Sequence, residues 1–98
     1  MRLAAALALA LGASVAAAQD AAPKVAPDAG KRFYEKVCAR CHEAGIGPVL
    51  LGRNLPPALF TTIARSGLNA MPAFRVSDID DQTLQAVAEY LSASKAKP

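Results

Sequence analysis

The sequence is poor in aromatic residues and in metal ligands. Its 98 residues include no tryptophan, two tyrosines, three phenylalanines, two cysteines and one histidine. A closed zinc site takes four ligands, and the cysteines and the histidine together supply only three. The formal net charge is only +3, without the clustered basic face of a nucleic-acid-binding domain. A structural zinc domain and a nucleic-acid partner are therefore not expected.

The first 18 residues are typical of an export signal. Met1–Arg2 gives a short positive start, an apolar stretch follows over residues 3–18, and Ala16–Ala18 offers a small-residue cleavage site. A membrane anchor is the alternative, but the stretch is shorter than the ~20 apolar residues of a spanning helix. We expect cleavage after Ala18 and a periplasmic chain of 80 residues with no membrane anchor.

The mature chain is small and has little apolar material for a core. A domain of about 80 residues buries a modest fraction of its surface and often needs a disulfide, a metal or a cofactor to fold. Residues 19–27, QDAAPKVAP, are polar and rich in proline, which indicates a flexible tail. We therefore expect a single domain over residues 28–98.

Hydrophobic spacing predicts three helices and no strand pairs. The first is expected behind an Asp28 N-cap, with one apolar stripe that includes both cysteines: Gly30, Phe33, Tyr34, Val37, Cys38 and Cys41. The second is expected from near Asn54, with two prolines in its first turn and three residues facing inward: Leu59, Phe60 and Ile63.

The third helix has the clearest apolar period. It is expected behind Ser77, which with Asp80 three residues later resembles a capping box. Its inward positions repeat at i, i+3, i+4 and i+7: Leu84, Val87, Ala88 and Leu91. The sequence thus predicts an all-α domain.

The segment CARCHEAGIGPVL, residues 38–50, carries the chemistry. A thioredoxin-type dithiol needs a βαβ scaffold that the chain does not offer. A disulfide across two residues would close too short a loop to stabilise much, and it would leave His42 unexplained. C-x-x-C-H is instead the signature of covalent c-type haem attachment. Cys38 and Cys41 are placed to bond two vinyl groups, with His42 carried under the iron.

A sixth ligand of the iron must come from elsewhere in the chain. There is no second histidine, and Met71 is the only methionine after removal of the leader. A gap-filling core methionine is the ordinary alternative. The position of Met71 in the loop before the last helix favours Met/His ligation, which raises the reduction potential relative to two nitrogen ligands. A closed site of this kind passes electrons.

With these motifs the chain resembles a class I cytochrome c over nearly all of its mature length. The matching positions are Gly30, Tyr34, the C-x-x-C-H motif, Gly47-Pro48-x-Leu50, Met71, and Val87, Tyr90 and Leu91 in the last helix. The resemblance implies three main helices and loops wrapped around one covalent haem c. It also implies that the Pro48 carbonyl accepts the proton of His42 Nδ1 and that Arg53 pairs with a haem propionate. Simple turn and surface roles are the alternatives for Pro48 and Arg53.

A narrower similarity is carried by CHEAGIGPVLLGRNLP, AMPAF and DD-x-x-L-x-x-VAEYL. These segments resemble the cytochrome subunits of 4-alkylphenol-oxidising flavocytochromes of the p-cresol methylhydroxylase type. The resemblance implies a flavoprotein partner that delivers single electrons, a downstream acceptor such as a cupredoxin or another cytochrome, and no substrate chemistry on this chain.

The resemblance also implies a docking face. Electron tunnelling falls steeply with distance, so we expect this face at the haem edge near Ala70, Met71, Ala73 and Phe74, with an apolar rim from Ile46, Val49 and Phe74. Core packing is the alternative for these side chains. Two other functions stay open. One is a freely diffusing monohaem cytochrome c that shuttles electrons between a dehydrogenase and a terminal oxidase. The other is a haem enzyme or gas sensor with an open iron site.

Overall fold

A computed structural model of the protein describes residues 25–98. Within them the helices are α1 (Ala29–Phe33), a π-helical segment (Tyr34–Cys38), α2 (Ala39–His42), α3 (Pro57–Ser66) and α4 (Asp81–Ala93). The described part contains no β-strand, only an isolated pairing of Leu68 with Met71. The all-α prediction is confirmed. The expected signal peptide and most of the expected tail lie outside the described residues.

The first three of these segments form one continuous helical run over residues 29–42, called here the N-terminal run. Asp28 occupies its N-cap position, but its side chain makes no capping bond. The carboxylate instead pairs with Arg32 one turn later, at 3.4 Å. The predicted N-cap position of Asp28 is therefore right and its predicted capping bond is not formed.

The N-terminal run crosses α4 at very close range. A Cβ atom added to Gly30 would lie 2.3 Å from the carbonyl oxygen of Ala86, so only glycine lets the two backbones approach this closely. One turn later the rings of Tyr34 and Tyr90 pack against each other in a tilted arrangement, with centroids 5.8 Å apart and planes inclined at 45°. Aromatic pairs at this distance add to the stability that burial provides.

The predicted apolar stripe of the N-terminal run is only partly buried. Tyr34 is buried and Cys38 is half-buried, but Val37 and Cys41 are exposed. The run also departs from the α-helical spacing that the sequence predicts, because Tyr34–Cys38 is π-helical and a π turn holds more residues than an α turn.

Helix α3 begins at Pro57, three residues later than the sequence predicts. Asn54 has a φ of 52°, a left-handed conformation that cannot belong to an α-helix. Pro56 is extended at the N-cap position, and Pro57 fills the first helical position, where its missing N–H costs nothing. Leu59, predicted to face inward, is 39% exposed. Phe60 packs against the core as predicted.

Helix α4 begins at Asp81, and its cap is Asp80 instead of Ser77. The Asp80 carboxylate accepts a hydrogen bond from the Thr83 backbone N–H at 2.7 Å. Ser77 lies in a preceding turn, where Asp78 accepts from the Arg75 backbone N–H at 2.8 Å. The capping box predicted for Ser77 was therefore wrong, because the turn absorbs three more residues before the helix starts.

The core lies where the N-terminal run, α3 and α4 meet. Its buried hydrophobic residues are Tyr34, Leu51, Ile79, Leu84, Val87, Ala88 and Leu91. The four inward positions predicted for α4 are all among them. No helix in residues 25–98 is long and apolar enough to span a bilayer.

Candidate haem-binding site

His42 ends α2, and the chain then folds back over its ring. Its Nδ1 atom lies 2.8 Å from the Pro48 carbonyl oxygen, which is the contact that the resemblance implies. A carbonyl oxygen can only accept a hydrogen bond, so Nδ1 is the donor, and in the neutral ring this tautomer leaves the lone pair on Nε2. A metal-binding histidine is fixed in this way when its other ring nitrogen donates to a carbonyl.

The turn after His42 is held tightly against the end of the helix. The backbone N–H groups of Ile46 and Gly47 both donate to the Cys41 carbonyl, at 3.1 and 2.8 Å. A Cβ atom at Gly47 would lie 2.9 Å from both Nδ1 and Cε1 of the imidazole. The Gly-Pro pair therefore confines the ring from one side while the carbonyl orients it.

The two thiols of the motif are free and differ in their surroundings. Cys38 is half-buried and Cys41 is exposed. Burial raises the pKa of the Cys38 thiol to about 11. A redox dithiol works through a thiolate with a lowered pKa, so the surroundings of Cys38 are unlike those of a thioredoxin-type site.

A polar network joins the N-terminal run to the C-terminal end of the chain. The Tyr34 hydroxyl donates to Glu43 Oε2 at 2.7 Å, and Lys97 Nζ donates to Glu43 Oε1 at 2.5 Å. The bond from Lys97, followed by that from Tyr34, lowers the pKa of the Glu43 carboxyl. Burial, with the bond to Glu43, raises the pKa of Tyr34. Glu43, the residue after His42, therefore accepts a hydrogen bond at each of its carboxylate oxygens.

The C-terminal end also covers the loop after Pro48. The Gly52 backbone N–H donates to Ser94 Oγ at 3.0 Å. Gly52 has a φ of 77°, and a Cβ atom there would lie 2.4 Å from the Ala96 backbone nitrogen. Neighbouring Arg53 is exposed. Its predicted pairing with a propionate stays a prediction.

Met71 lies at the end of a tight turn between α3 and α4. Leu68 and Met71 exchange two backbone hydrogen bonds, Leu68 N–H to Met71 O at 3.1 Å and Met71 N–H to Leu68 O at 2.9 Å. Asn69, inside the turn, has a φ of 54°. The Met71 side chain is half-buried. We call residues 67–79 the Met71 loop.

Arg65, in the last turn of α3, contacts the far half of this loop. Its guanidinium donates to the carbonyl oxygens of Phe74 at 3.3 Å and Ile79 at 2.9 Å. It also pairs with the Asp81 carboxylate at 2.5 Å. Sequence reasoning missed Arg65, since a basic residue in a last helical turn ordinarily indicates only a favourable helix dipole. It missed Lys97 and Glu43 because nothing local pairs residues so far apart.

The proposed docking residues differ in exposure. Ala70 and Ala73 are exposed, and Ile46 and Val49 are 75% and 65% exposed. Phe74 is half-buried and packs against the core, so its side chain contributes less to the surface than the sequence suggests.

The residues around the motif fit a haem better than a bare ion. Residues 25–98 contain no group of three or more His, Cys, Asp or Glu side chains close enough together to hold a metal ion. An iron atom at His42 therefore has to bring further ligands with it, as a porphyrin does. Large apolar side chains also stay more than a third exposed beside the proposed ligands, where an apolar body would cover them: Val37, Ile46, Val49 and Leu68.

Comparison with known proteins gives the same result. A family model described as cytochrome C oxidase, cbb3-type, subunit III matches residues 25–91. The 4-cresol dehydrogenase (hydroxylating) cytochrome c subunit of Pseudomonas putida is 55% identical over an alignment of 69 residues, with 68% of this chain and 61% of that relative covered. The chain thus matches about three fifths of the length of that relative.

Two solved structures match over most of their own chains. A crystal structure of p-cresol methylhydroxylase with substrate bound superposes with a TM-score of 0.64 and 55% identity, over 68% of this chain and 93% of that chain. A second crystal structure of p-cresol methylhydroxylase gives a TM-score of 0.62 and 55% identity, over 66% and 92% of the two chains.

The fold, the C-x-x-C-H geometry and these matches define a class of electron-transport protein. The chain belongs to the c-type cytochrome family that the matching model describes, with the class I fold and one covalent haem c. Among its relatives it is similar to the cytochrome subunit of p-cresol methylhydroxylase.

Proposed function

We propose that this chain is the electron-accepting subunit of a periplasmic flavocytochrome that oxidises 4-alkylphenols. It takes electrons one at a time from a flavin subunit and passes them to a downstream acceptor such as a cupredoxin or another cytochrome. The observation that carries the proposal is the 55% identity to a p-cresol methylhydroxylase chain, 93% of which is covered by the match. Export rests on the leader, residues 1–18, with a tail over 19–27 and the cytochrome domain over 28–98.

The residues of the site have separate roles in this proposal. Cys38 and Cys41 form the two thioether bonds, and His42 Nε2 and the Met71 sulfur are the axial ligands. The bound haem c supplies one-electron redox chemistry. Two features support the assignment: His42 Nδ1 already donates to the Pro48 carbonyl, and the backbone N–H and carbonyl of Met71 are both bonded to Leu68 in a closed turn.

Two further residues act on the haem surroundings. Pro48 fixes the imidazole through its carbonyl, and Arg53 pairs with a propionate. With nitrogen and sulfur at the two axial positions, no substrate binds the iron, and the phenol chemistry belongs to the partner chain. Failure of the reduced protein to bind carbon monoxide supports this closed site, and ready binding contradicts it.

The flavin subunit docks on the face formed by Ala70, Met71, Ala73 and the edge of Phe74, with Ile46 and Val49 as its rim. Electron tunnelling falls steeply with distance, so the partner has to approach the haem edge closely. Small exposed alanines permit such an approach, and the exposed rim side chains supply apolar area that a partner can cover.

The test uses the haem-loaded protein and a flavin subunit of the p-cresol methylhydroxylase type. We expect the two to elute together with both flavin and haem absorbance. Ala70→Arg places an unpaired charge in the contact and should weaken binding at least about tenfold. Ala93→Arg, an equal change at the exposed C-terminal end of α4, is the matched control. If Ala70→Arg binds as Ala93→Arg does, the docking face is wrong; if the unmutated protein never binds a flavoprotein, the freely diffusing shuttle is favoured.

A further inference from the structure

Backbone hydrogen bonds connect the Met71 loop to α3, the helix that precedes it. At its start, the Gly67 backbone N–H donates to the Ile63 carbonyl at 2.7 Å, and further on the Phe74 backbone N–H donates to the Ala64 carbonyl at 2.7 Å. Both ends of the segment that carries Met71 are therefore fastened to neighbouring residues in the last turns of α3. Arg65 is the next residue along that helix.

The Arg65 side chain continues this attachment into the second half of the loop. Its Nη1 reaches the carbonyl oxygens of Phe74 and Ile79, while its Nη2 reaches Asp81 at the start of α4. The arginine side chain is only 26% exposed. A single guanidinium thus joins α3, the Met71 loop and α4, which are the three elements that fix where the Met71 backbone lies.

We propose that Arg65 is a positioning residue that holds Met71 at the iron, an inference that rests on the proposed axial ligation by Met71. Displacement of the sulfur requires the Met71 loop to move away, and the bonds from Arg65 to Phe74 and Ile79 oppose that movement. Arg65 therefore sets how readily another ligand, such as hydroxide or added imidazole, replaces Met71.

The geometry needs an arginine. A planar guanidinium presents several donors in a fixed fork, whereas the lysine ammonium is a compact charge on a flexible stem. Lysine at this position can keep the ion pair with Asp81 but cannot hold both carbonyls in the same arrangement. The Arg65→Lys variant therefore keeps the positive charge and removes the forked arrangement of donors.

The test follows the ferric, haem-loaded protein through its Met-to-iron charge-transfer band in the near infrared. The variants are Arg65→Met, Arg65→Lys and Asp81→Asn. The control is Arg32→Met, which breaks another arginine–aspartate pair, Arg32 with Asp28. Two quantities are measured in each: the midpoint pH at which the band disappears, and the affinity for imidazole. Circular dichroism reports the helices in the same samples.

We expect Arg65→Met to raise the equilibrium constant for displacement of Met71 at least about tenfold, which lowers the midpoint pH by about one unit. Imidazole should bind at least about tenfold more tightly, with the helical signal unchanged. Arg65→Lys should fall between this variant and the control. Asp81→Asn should stay within about threefold of the control, because the two carbonyl bonds remain.

Several results would overturn the inference. If Arg65→Met behaves as Arg32→Met does, Arg65 does not position the ligand. If Asp81→Asn shifts the midpoint as far as Arg65→Met, the ion pair and not the carbonyl contacts is responsible. If Arg65→Met does not fold, Arg65→Lys decides by the same comparison. If the unmutated protein has no band that Met71→Ala removes, the axial ligation itself is wrong, and the inference about Arg65 falls with it.

Discussion

The side chain of His42 is confined before any haem is considered. Its ring lies between the Pro48 carbonyl and the backbone of Gly47, which is too close for any larger residue. Such prior confinement lowers the entropy lost when the ring binds iron. The backbone around Met71, the other proposed ligand, is confined in a similar way by Gly67.

Gly67 gives a prediction at the scale of one residue. It has a φ of 75°, and a Cβ atom there would lie 2.9 Å from the Ala73 backbone nitrogen and 3.0 Å from the Met71 oxygen. With ψ at 164° this backbone conformation is open almost only to glycine, so Gly67→Ala should cost more than the roughly 1–3 kcal/mol of the backbone strain alone, and it should weaken the near-infrared band. Denaturant unfolding and the ferric spectrum measure these two effects.

Gly45 supplies the matched control for this prediction. Its φ is 83°, yet a Cβ atom there would meet nothing within 4 Å. Gly45→Ala should show the backbone cost alone and keep the band. Equal loss of stability in the two alanine variants, with the band intact in both, would show that the contact between Gly67 and the Met71 loop is unimportant.

At the scale of the element, α4 depends on the carboxylate of Asp80. The bond from the Thr83 backbone N–H lowers the pKa of Asp80 below its ordinary value of 3.8. A lowered pKa in the folded state means that this stabilisation is present above the unfolded pKa and is lost as pH falls through the folded pKa. The cap should therefore weaken only in strong acid.

The variants Asp80→Asn and Asp80→Ala test the cap. Asparagine caps helices about as well as aspartate, so Asp80→Asn should unfold near the unmutated midpoint at neutral pH and lose less stability on acidification. Asp80→Ala should unfold at a lower temperature at both pH values. Thermal unfolding followed at the α-helical signal measures this, and an unchanged midpoint in Asp80→Ala would contradict the role of Asp80.

The sequence predicted some of the helix positions and faces but misplaced others. The inward face of α4 and the helix that carries C-x-x-C-H were predicted, because both depend on local spacing. The starts of α3 and α4 were misplaced, since Asn54 takes a left-handed conformation and Asp78 builds a turn that spacing does not reveal. The hydrogen bonds of Arg65 and Lys97 join segments that are far apart in the chain, so local sequence patterns do not predict them.

Across residues 25–98 the fold has a core of seven buried hydrophobic residues and leaves other large apolar side chains exposed. A domain of this size with so small a core is marginal without a further apolar component. We expect the covalent haem c to supply that component beside the segments where the exposed side chains lie. The same haem would therefore complete the core and carry the electron.

The double variant Cys38→Ala, Cys41→Ala tests this dependence on haem. Without thioether bonds the chain should lose most of its helical circular dichroism signal. It should also show no cooperative thermal transition. The haem-loaded protein, measured in the same buffer, is the reference. Native helicity and a cooperative transition in the haem-free variant would show that the polypeptide core is sufficient by itself.

Covalent bonding of haem to Cys38 and Cys41 underlies every proposed role of this chain, and the intact mass of the exported protein measures it. We expect the mass of the polypeptide from residue 19 onward plus one haem, with no thiol left to react with an alkylating reagent. A mass without haem, together with two alkylatable thiols, would contradict it.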